Sequence, residues 1–233
     1  KQYRSFNPLA EPIKPKAPAV AYLESRGISE EIAKRYEITT LEKQQNILVF
    51  PFYDENGKMC FIKYRKTDFD KSKDKNKEWC EKNCKPILFG MKQCNDKFDR
   101  LVITEGQLDS LSVAAAGIEN AVSVPTGAKG FTWVPYCYNW VSKFEEIIVF
   151  GDFEKNHITL LEEVARRFPC RIKHVREADY RNCKDANEML QKYGTECIRH
   201  AVENAVYLPV NHVVPLSEVE NVNIYELEKV KSG

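Results

Sequence analysis

The stretch Leu101-Val-Ile-Thr104, followed without a break by Glu105-Gly106-Gln-Leu-Asp109-Ser-Leu-Ser112-Val-Ala-Ala-Ala116-Gly117, decides the fold. Its first four residues are the apolar, β-branched run of a short buried strand. Leu108, Leu111, Ser112, Ala115 and Ala116 then recur at helical spacing, and Gly117 closes the helix. The same alternation continues downstream. Ala121–Val124, Glu146–Phe150 and Arg171–Val175 read as strands, Thr159–Phe168 as an amphipathic helix, and Asn187–Leu190 as the opening of another. Strands joined by crossover helices predict an α/β fold, a parallel sheet with helices on both faces. No repeat of 20–50 residues competes with that reading.

In such a sheet, ligands bind beyond the carboxyl ends of the strands. Acidic residues fall at three of those ends. Glu105 follows Leu101–Thr104, with Gly106 giving the backbone room to turn. Asp152 and Glu154 follow Glu146–Phe150 after Gly151, and Asp185, preceded by Lys184, follows the strand and loop of 171–184. Asp109 lies four residues beyond Glu105, within its reach if a helix begins near Gly106. Taken singly, each acid reads equally as a helix cap or a solvated loop residue. Gathered together, they repel one another unless a cation intervenes. Oxygen ligands of this type select Mg²⁺ or Mn²⁺, ions that hold phosphates and organise phosphoryl transfer.

Upstream, Pro8, Pro12, Pro15 and Pro18 mark residues 1–18 as an extended linker. Helical spacing begins near Ala19, and Ser29 ahead of Glu30 and Glu31 suits a helix N-cap. Two apolar runs, Ile47–Tyr53 and Met59–Arg65, flank Asn56-Gly57 and predict a hairpin. Residues 63–85 hold nine Lys or Arg and five Asp or Glu, a local net of +4, with Tyr64, Phe69 and Trp79 interleaved. This is either a solvated loop or a surface for phosphates and bases. Over 233 residues the net charge is only +1, so local distribution has to carry any argument about nucleic acid. No apolar run of 18 residues exists, which predicts no membrane-spanning helix. Eight scattered cysteines read as reduced thiols of a cytoplasmic protein. Cys80, Cys84 and Cys94 lack a fourth zinc ligand at paired spacing. His157 reads as a surface or capping residue, and Tyr136 and Tyr138 as packing residues.

Several of these segments resemble a known family. Thr104-Glu105-Gly106-Gln-Leu-Asp109-Ser-Leu-Ser112 is similar to the E-G-x-x-D-A-L-S signature of the TOPRIM domain of topoisomerases and bacterial-type primases. Ser123-Val-Pro-Thr-Gly127-Ala128 resembles its glycine loop, Asp152-Phe-Glu154 its D-x-D motif, and Cys183-Lys184-Asp185-Ala-Asn187-Glu188 its third acidic motif. Tyr22–Ile28, Phe61–Arg65 and Lys85–Gly90 resemble the lobe ahead of TOPRIM in phage primase–helicases. The tail Asn223–Gly233 is similar to the segment that leads into their ring helicase.

The resemblance implies a Rossmann-like TOPRIM sheet over 99–206, a smaller mixed α/β lobe over 19–98, and a linker over 207–233 toward a ring helicase domain of the same polypeptide. It leaves open whether a zinc-binding module precedes Lys1. It implies a DNA primase that makes RNA primers from ribonucleoside triphosphates on single-stranded DNA, in a bacterial host's cytoplasm or nucleoid. Glu105, Asp109, Asp152 and Glu154 are then catalytic. Glu105, Asp152, Glu154 and Asp185 hold Mg²⁺ or Mn²⁺, and Lys63, Arg65, Lys66, Gly127, Lys129 and Lys184, with Ala128, lie along nucleotide or DNA. Two departures stand out: Glu154 replaces the usual second Asp of D-x-D, and Lys155-Asn156-His157 replaces a basic glycine turn. They keep two alternatives in view, a catalytically weakened nucleic-acid-binding module of a replicative helicase and a TOPRIM nuclease. A topoisomerase fits less well, since no strand-passage domain with a nucleophilic tyrosine can be read.

Overall fold

The computed structural model describes residues 2–208; the 209–233 stretch of the expected linker lies outside the described residues. Two short helices come first, α1 (Ala17–Ser25) and α2 (Glu30–Arg35). Helix α1 starts two residues earlier than its apolar spacing predicts, because Pro18 occupies the first turn, where its preset φ and missing N–H cost nothing. Ser29 caps α2, its side chain accepting from the Ile32 N–H.

A four-stranded antiparallel sheet follows, in the order β1 (Thr39–Thr40), β2 (Ile47–Tyr53), β3 (Met59–Lys66) and β4 (Glu78–Cys80). The predicted hairpin joins β2 to β3. Gly57 takes φ +79°, and the Asp54 carboxylate accepts from the Asn56 and Lys58 N–H groups at 3.0 and 2.9 Å. Strand β2 is buried throughout, whereas β3 is buried only at Cys60, Phe61 and Lys63.

The second sheet holds β5 (Arg100–Thr104), β6 (Ala121–Ser123), β7 (Glu146–Phe150), β8 (Arg171–His174) and β9 (Val206–Tyr207), in the order β6-β5-β7-β8-β9. The first four strands are parallel, and β9 closes the far edge antiparallel to β8. Helices α3 (Gln107–Ala115), α4 (Val134–Val141), α5 (Thr159–Ala165), α6 (Ala186–Tyr193) and α7 (Thr195–Glu203) flank it, with α3, α6 and α7 packed on one another.

The two sheets share one apolar core. Phe89 forms an antiparallel bridge with Ser123 at the edge of the parallel sheet, while its ring packs on Tyr36, Phe50 and Phe52 of the first lobe.

Three expectations change on contact with the structure. Residues 2–16 carry no helix or strand, yet they are not a free tether: Arg4 pairs with Glu81, and the Ile13 N–H donates to Glu37. The basic 63–85 stretch is ordered from within, with Lys66 paired to Asp74 and Trp79 of β4 stacked on Tyr64 of β3. Tyr136 and Tyr138 do pack, edge-on against Tyr3 and stacked on Phe168, but each is 39% exposed on α4 rather than buried. Among the described residues no helix is long and apolar enough to cross a membrane.

The seam between the lobes turns on Gly90. Its φ is +94°, and a Cβ there would stand 2.7 Å from the Ala121 carbonyl oxygen, a backbone atom that cannot swing away. Gly90→Ala should therefore lower stability by roughly 2 kcal/mol or more, read as a shifted urea midpoint. An unchanged midpoint would refute this account of the seam.

Candidate active site

The acids of the sheet edge come from four elements. Glu105 directly follows β5, and Asp109 lies in the first turn of α3. Asp152 follows β7 after Gly151. Asp185 is the N-cap of α6, its Oδ1 accepting from the Glu188 N–H at 2.7 Å. Asp109, Asp152 and Asp185 each present an oxygen within 4.8 Å of the other two. Gly106 makes this possible, because a Cβ there would come within 2.5 Å of Asp109 Oδ2. Asp109 Oδ1 accepts the Asn187 N–H at 3.0 Å. Glu105 lines the same cavity of about 530 Å³ and accepts from the Ala128 N–H at 3.2 Å. The glycine loop, with Gly127 at φ +75°, thus orients Glu105 through its backbone.

Burial pushes the Asp109 carboxyl well above the usual carboxylate range, and the charges of Asp185 and Asp152 push it further. Burial also raises Glu105, reinforced by Asp152. Asp152 is raised by burial and pulled back by Lys184. The donor set is all oxygen, clustered and short of compensating charge, and it fits a hard divalent cation such as Mg²⁺ or Mn²⁺. Tyr180 braces the edge from below, donating its hydroxyl to the Gly151 carbonyl at 2.8 Å.

Glu154 stands apart from the trio. Its side chain is 61% exposed, and Lys184 Nζ bridges it at 2.6 Å to Asp152 at 2.9 Å. The hydrogen bond from Lys184 holds Glu154 below the usual range, and the two acids in turn raise Lys184. Lys184, expected on nucleic acid, is thus engaged by carboxylates. Glu154 and Lys129 line an adjoining cavity of about 450 Å³ together with His157, on the far side of Glu105 and Asp152.

The basic wall opposite the acids comes from the antiparallel lobe. Lys63 and Arg65 line the main cavity, but both pair with Glu78 of β4, at 2.8 and 2.5 Å. Lys66 does not line it: one residue along a strand reverses the face, and Lys66 turns to Asp74. Three contributors carried no assigned role in the sequence. Arg26 and Lys77 line the cavity, and Asn187 holds Asp109. Burial and then the nearby Arg65 charge push Lys77 below its usual range, the mark of a cation crowded among cations. Arg26 and Asn187 sit inside the quoted family segments, so position in those segments was the available signal.

No protein-family model matches the chain. It is 26% identical over 210 residues to the "Twinkle homolog protein, chloroplastic/mitochondrial" of Arabidopsis thaliana, covering 81% of this chain and 28% of the relative. It is 26% identical over 208 residues to the "Primase homolog protein" of the same plant, covering 81% of this chain and 59% of the relative. The chain therefore spans less than two thirds of the length of these curated relatives. Among solved structures, the zinc-binding and RNA polymerase domains of the Aquifex aeolicus primase superpose with a TM-score of 0.67 at 15% identity, over 83% of this chain and 57% of that one. The primase fragment of the bacteriophage T7 primase–helicase protein superposes with a TM-score of 0.63 at 24% identity, over 77% and 72%. The fold is that of a primase catalytic domain. Within that class, the chain resembles the primase portion of a primase–helicase.

Because Asp109 binds its proton more tightly folded than unfolded, the stability this gives is complete below about pH 4 and lost as pH rises through the raised value. With chelator present, Asp109→Asn should exceed wild type in urea-unfolding stability by on the order of 1 kcal/mol at pH 8, and by less at pH 5. Added Mn²⁺ should raise the melting temperature of wild type only. Superimposable curves for the two proteins would contradict the repulsion described above.

Proposed function

We propose that this chain is the catalytic domain of a DNA primase, joining ribonucleotides on a single-stranded DNA template. The observation that carries the reading is the meeting of Asp109, Asp152 and Asp185 in one cavity walled by Arg26, Lys63, Arg65 and Lys77. That juxtaposition suits a substrate that brings both metal-bound phosphates and further anionic backbone. In the reaction, the 3′-hydroxyl of one ribonucleotide attacks the α-phosphate of the next, and pyrophosphate leaves. Asp109, Asp152 and Asp185, with Glu105 beside them, would hold Mg²⁺ or Mn²⁺, which would supply Lewis-acid neutralisation of charge developing on phosphate.

The chain's own groups do the positioning. Lys77 and Arg26 attract phosphate. Glu78 restrains Lys63 and Arg65 so that their cationic ends stay fixed at the cavity wall. The Ala128 N–H holds Glu105 toward the acids. Lys184 balances Asp152 and Glu154, and Lys129 and Gly127 flank the adjoining cavity, where nucleic acid can pass close to the backbone. We read residues 19–98 and 99–206 as the two lobes of this core. A ring helicase in the same polypeptide and a bacterial cytoplasmic or nucleoid setting complete the proposal.

A primer-synthesis assay on single-stranded templates with ribonucleoside triphosphates and Mg²⁺ tests it. Asp152→Ala should lose about 10²-fold or more in rate, whereas Glu154→Ala should lose less than about 10-fold, since its exposed carboxylate is screened. Equal rates for wild type and Asp152→Ala would overturn the metal role. DNA cleavage in Mn²⁺ without nucleotides would replace the polymerase reading with a nuclease one.

A further inference from the structure

The acid trio is tied to the other lobe by a connection its own motifs do not reveal. Arg26 is the C-cap of α1, and the turn it makes with Gly27 abuts α6. Gly27 takes φ +77°, and a Cβ there would lie 3.2 Å from Leu190 Cγ. Opposite Arg26 sits Asn187, which is 1% exposed and uses every hydrogen-bonding position of its amide. Asn187 Oδ1 accepts from Arg26 Nε at 2.8 Å and from Gln191 Nε2 at 3.2 Å. Asn187 Nδ2 donates to the Arg26 carbonyl and to Ser112 Oγ, both at 2.9 Å. The backbone N–H of the same residue is the one that Asp109 accepts. Asp185, the N-cap, hangs from the same first turn of α6.

We infer that Arg26 and Asn187 form a clasp between the lobes that positions Asp109 and Asp185 as a pair, so that divalent-ion affinity depends on how the first lobe seats against α6. This rests on the divalent-ion reading above and adds to it a positioning role for Asn187, and for Arg26 a second role, through its Nε, besides lining the cavity. Its physical basis is the saturated amide. With every polar atom of Asn187 engaged, the first turn of α6 has one arrangement in which all its hydrogen bonds are made. Removing the Arg26 guanidinium leaves Oδ1 short of a charge-assisted donor and frees that turn to shift. Groups that orient ligands from behind typically change metal affinity by about 10- to 100-fold when removed.

The test is Mn²⁺ binding to the full chain, followed by electron paramagnetic resonance of the free ion, for wild type, Arg26→Gln and Asn187→Ala. Both variants should show Kd for Mn²⁺ raised about 10-fold or more. Primer synthesis by Asn187→Ala should be weak at limiting Mn²⁺ and return to near the wild-type rate at saturation, which a general loss of packing would not allow, whereas Arg26→Gln, which also removes a cation from the cavity wall, is read by its Kd for Mn²⁺ alone. If Asn187→Ala fails to fold, Arg26→Gln decides alone, its unfolding midpoint confirming the fold. An unchanged Kd in Arg26→Gln overturns the clasp and leaves the metal site standing. Wild type that binds no Mn²⁺ overturns the divalent-ion reading and the clasp with it.

Discussion

Three aspartates in mutual contact at the end of a sheet set the terms for the rest of the molecule. At 4.8 Å and an effective dielectric near 20, each ionised pair repels by roughly 3–4 kcal/mol. Three such pairs come to about 10 kcal/mol, comparable with the whole stability of an ordinary domain, about 5–15 kcal/mol. Repulsion of that order favours positive charge beside the trio. The structure shows partial help in place: Asp109 accepts an N–H, Asp185 caps a helix, and Lys184 sits on Asp152. These contacts lower the repulsion without abolishing it, and the Asp109 carboxyl, raised first by burial and then by the Asp185 and Asp152 charges, carries both costs. A site left unbalanced in this way is built to receive positive charge.

The antiparallel lobe meets the same problem with the opposite sign. It presents Lys63, Arg65 and Lys77 to the cavity, and crowding of these cations would itself be costly. Glu78 on β4 is the local remedy. Against the burial that raises it, Lys63 and Arg65 hold Glu78 below the usual range, so this half-buried carboxylate stays charged between them. Lys77 makes no ion pair among the described residues, and burial, then the Arg65 charge, depresses its ammonium against the weaker pull of Glu78. The cationic wall is therefore restrained where it must be rigid and unbalanced where an anion can enter. Both lobes leave complementary charge unspent on facing sides of one cavity.

Much of this was legible in the sequence, and the limits have physical causes. Alternating strands and helices, the Asn56-Gly57 hairpin and the acids at strand ends are local signals, and local periodicity carries them. The membership of the trio is not local. Asp109 looked subordinate to Glu105, because four residues of helix place them near each other. What gathers Asp109 to Asp185 instead is the packing of α3 against α6, with Asn187 as the joint. Glu154 looked equivalent to Asp152 from a two-residue spacing. The turn at Lys155-Asn156, both at positive φ, instead folds that segment back on itself and leaves Glu154 toward solvent. Lys66 fell to a simpler cause, since it lies on the opposite face of β3 from Lys63 and Arg65. Glu78 was hidden because cross-strand neutralisation depends on the register of β4, which carries no periodic signature over three residues.

The near-zero net charge acquires a meaning from these arrangements. With +1 over 233 residues, the chain has no global field to draw in a polyanion. Attraction has to be generated over the Debye length of about 8 Å that operates in physiological salt. That requires the uncompensated cations and the uncompensated acids to share one small volume. The shared core and the Phe89–Ser123 bridge hold the two walls in register to do so. A shift of one lobe by a few ångströms would leave each wall's charge facing solvent, where water screens it and neither phosphate nor metal is favoured. The packing of the seam is thus a condition of the site's electrostatics, which is why glycine stands at its closest approaches, Gly27 against Leu190 and Gly90 against Ala121.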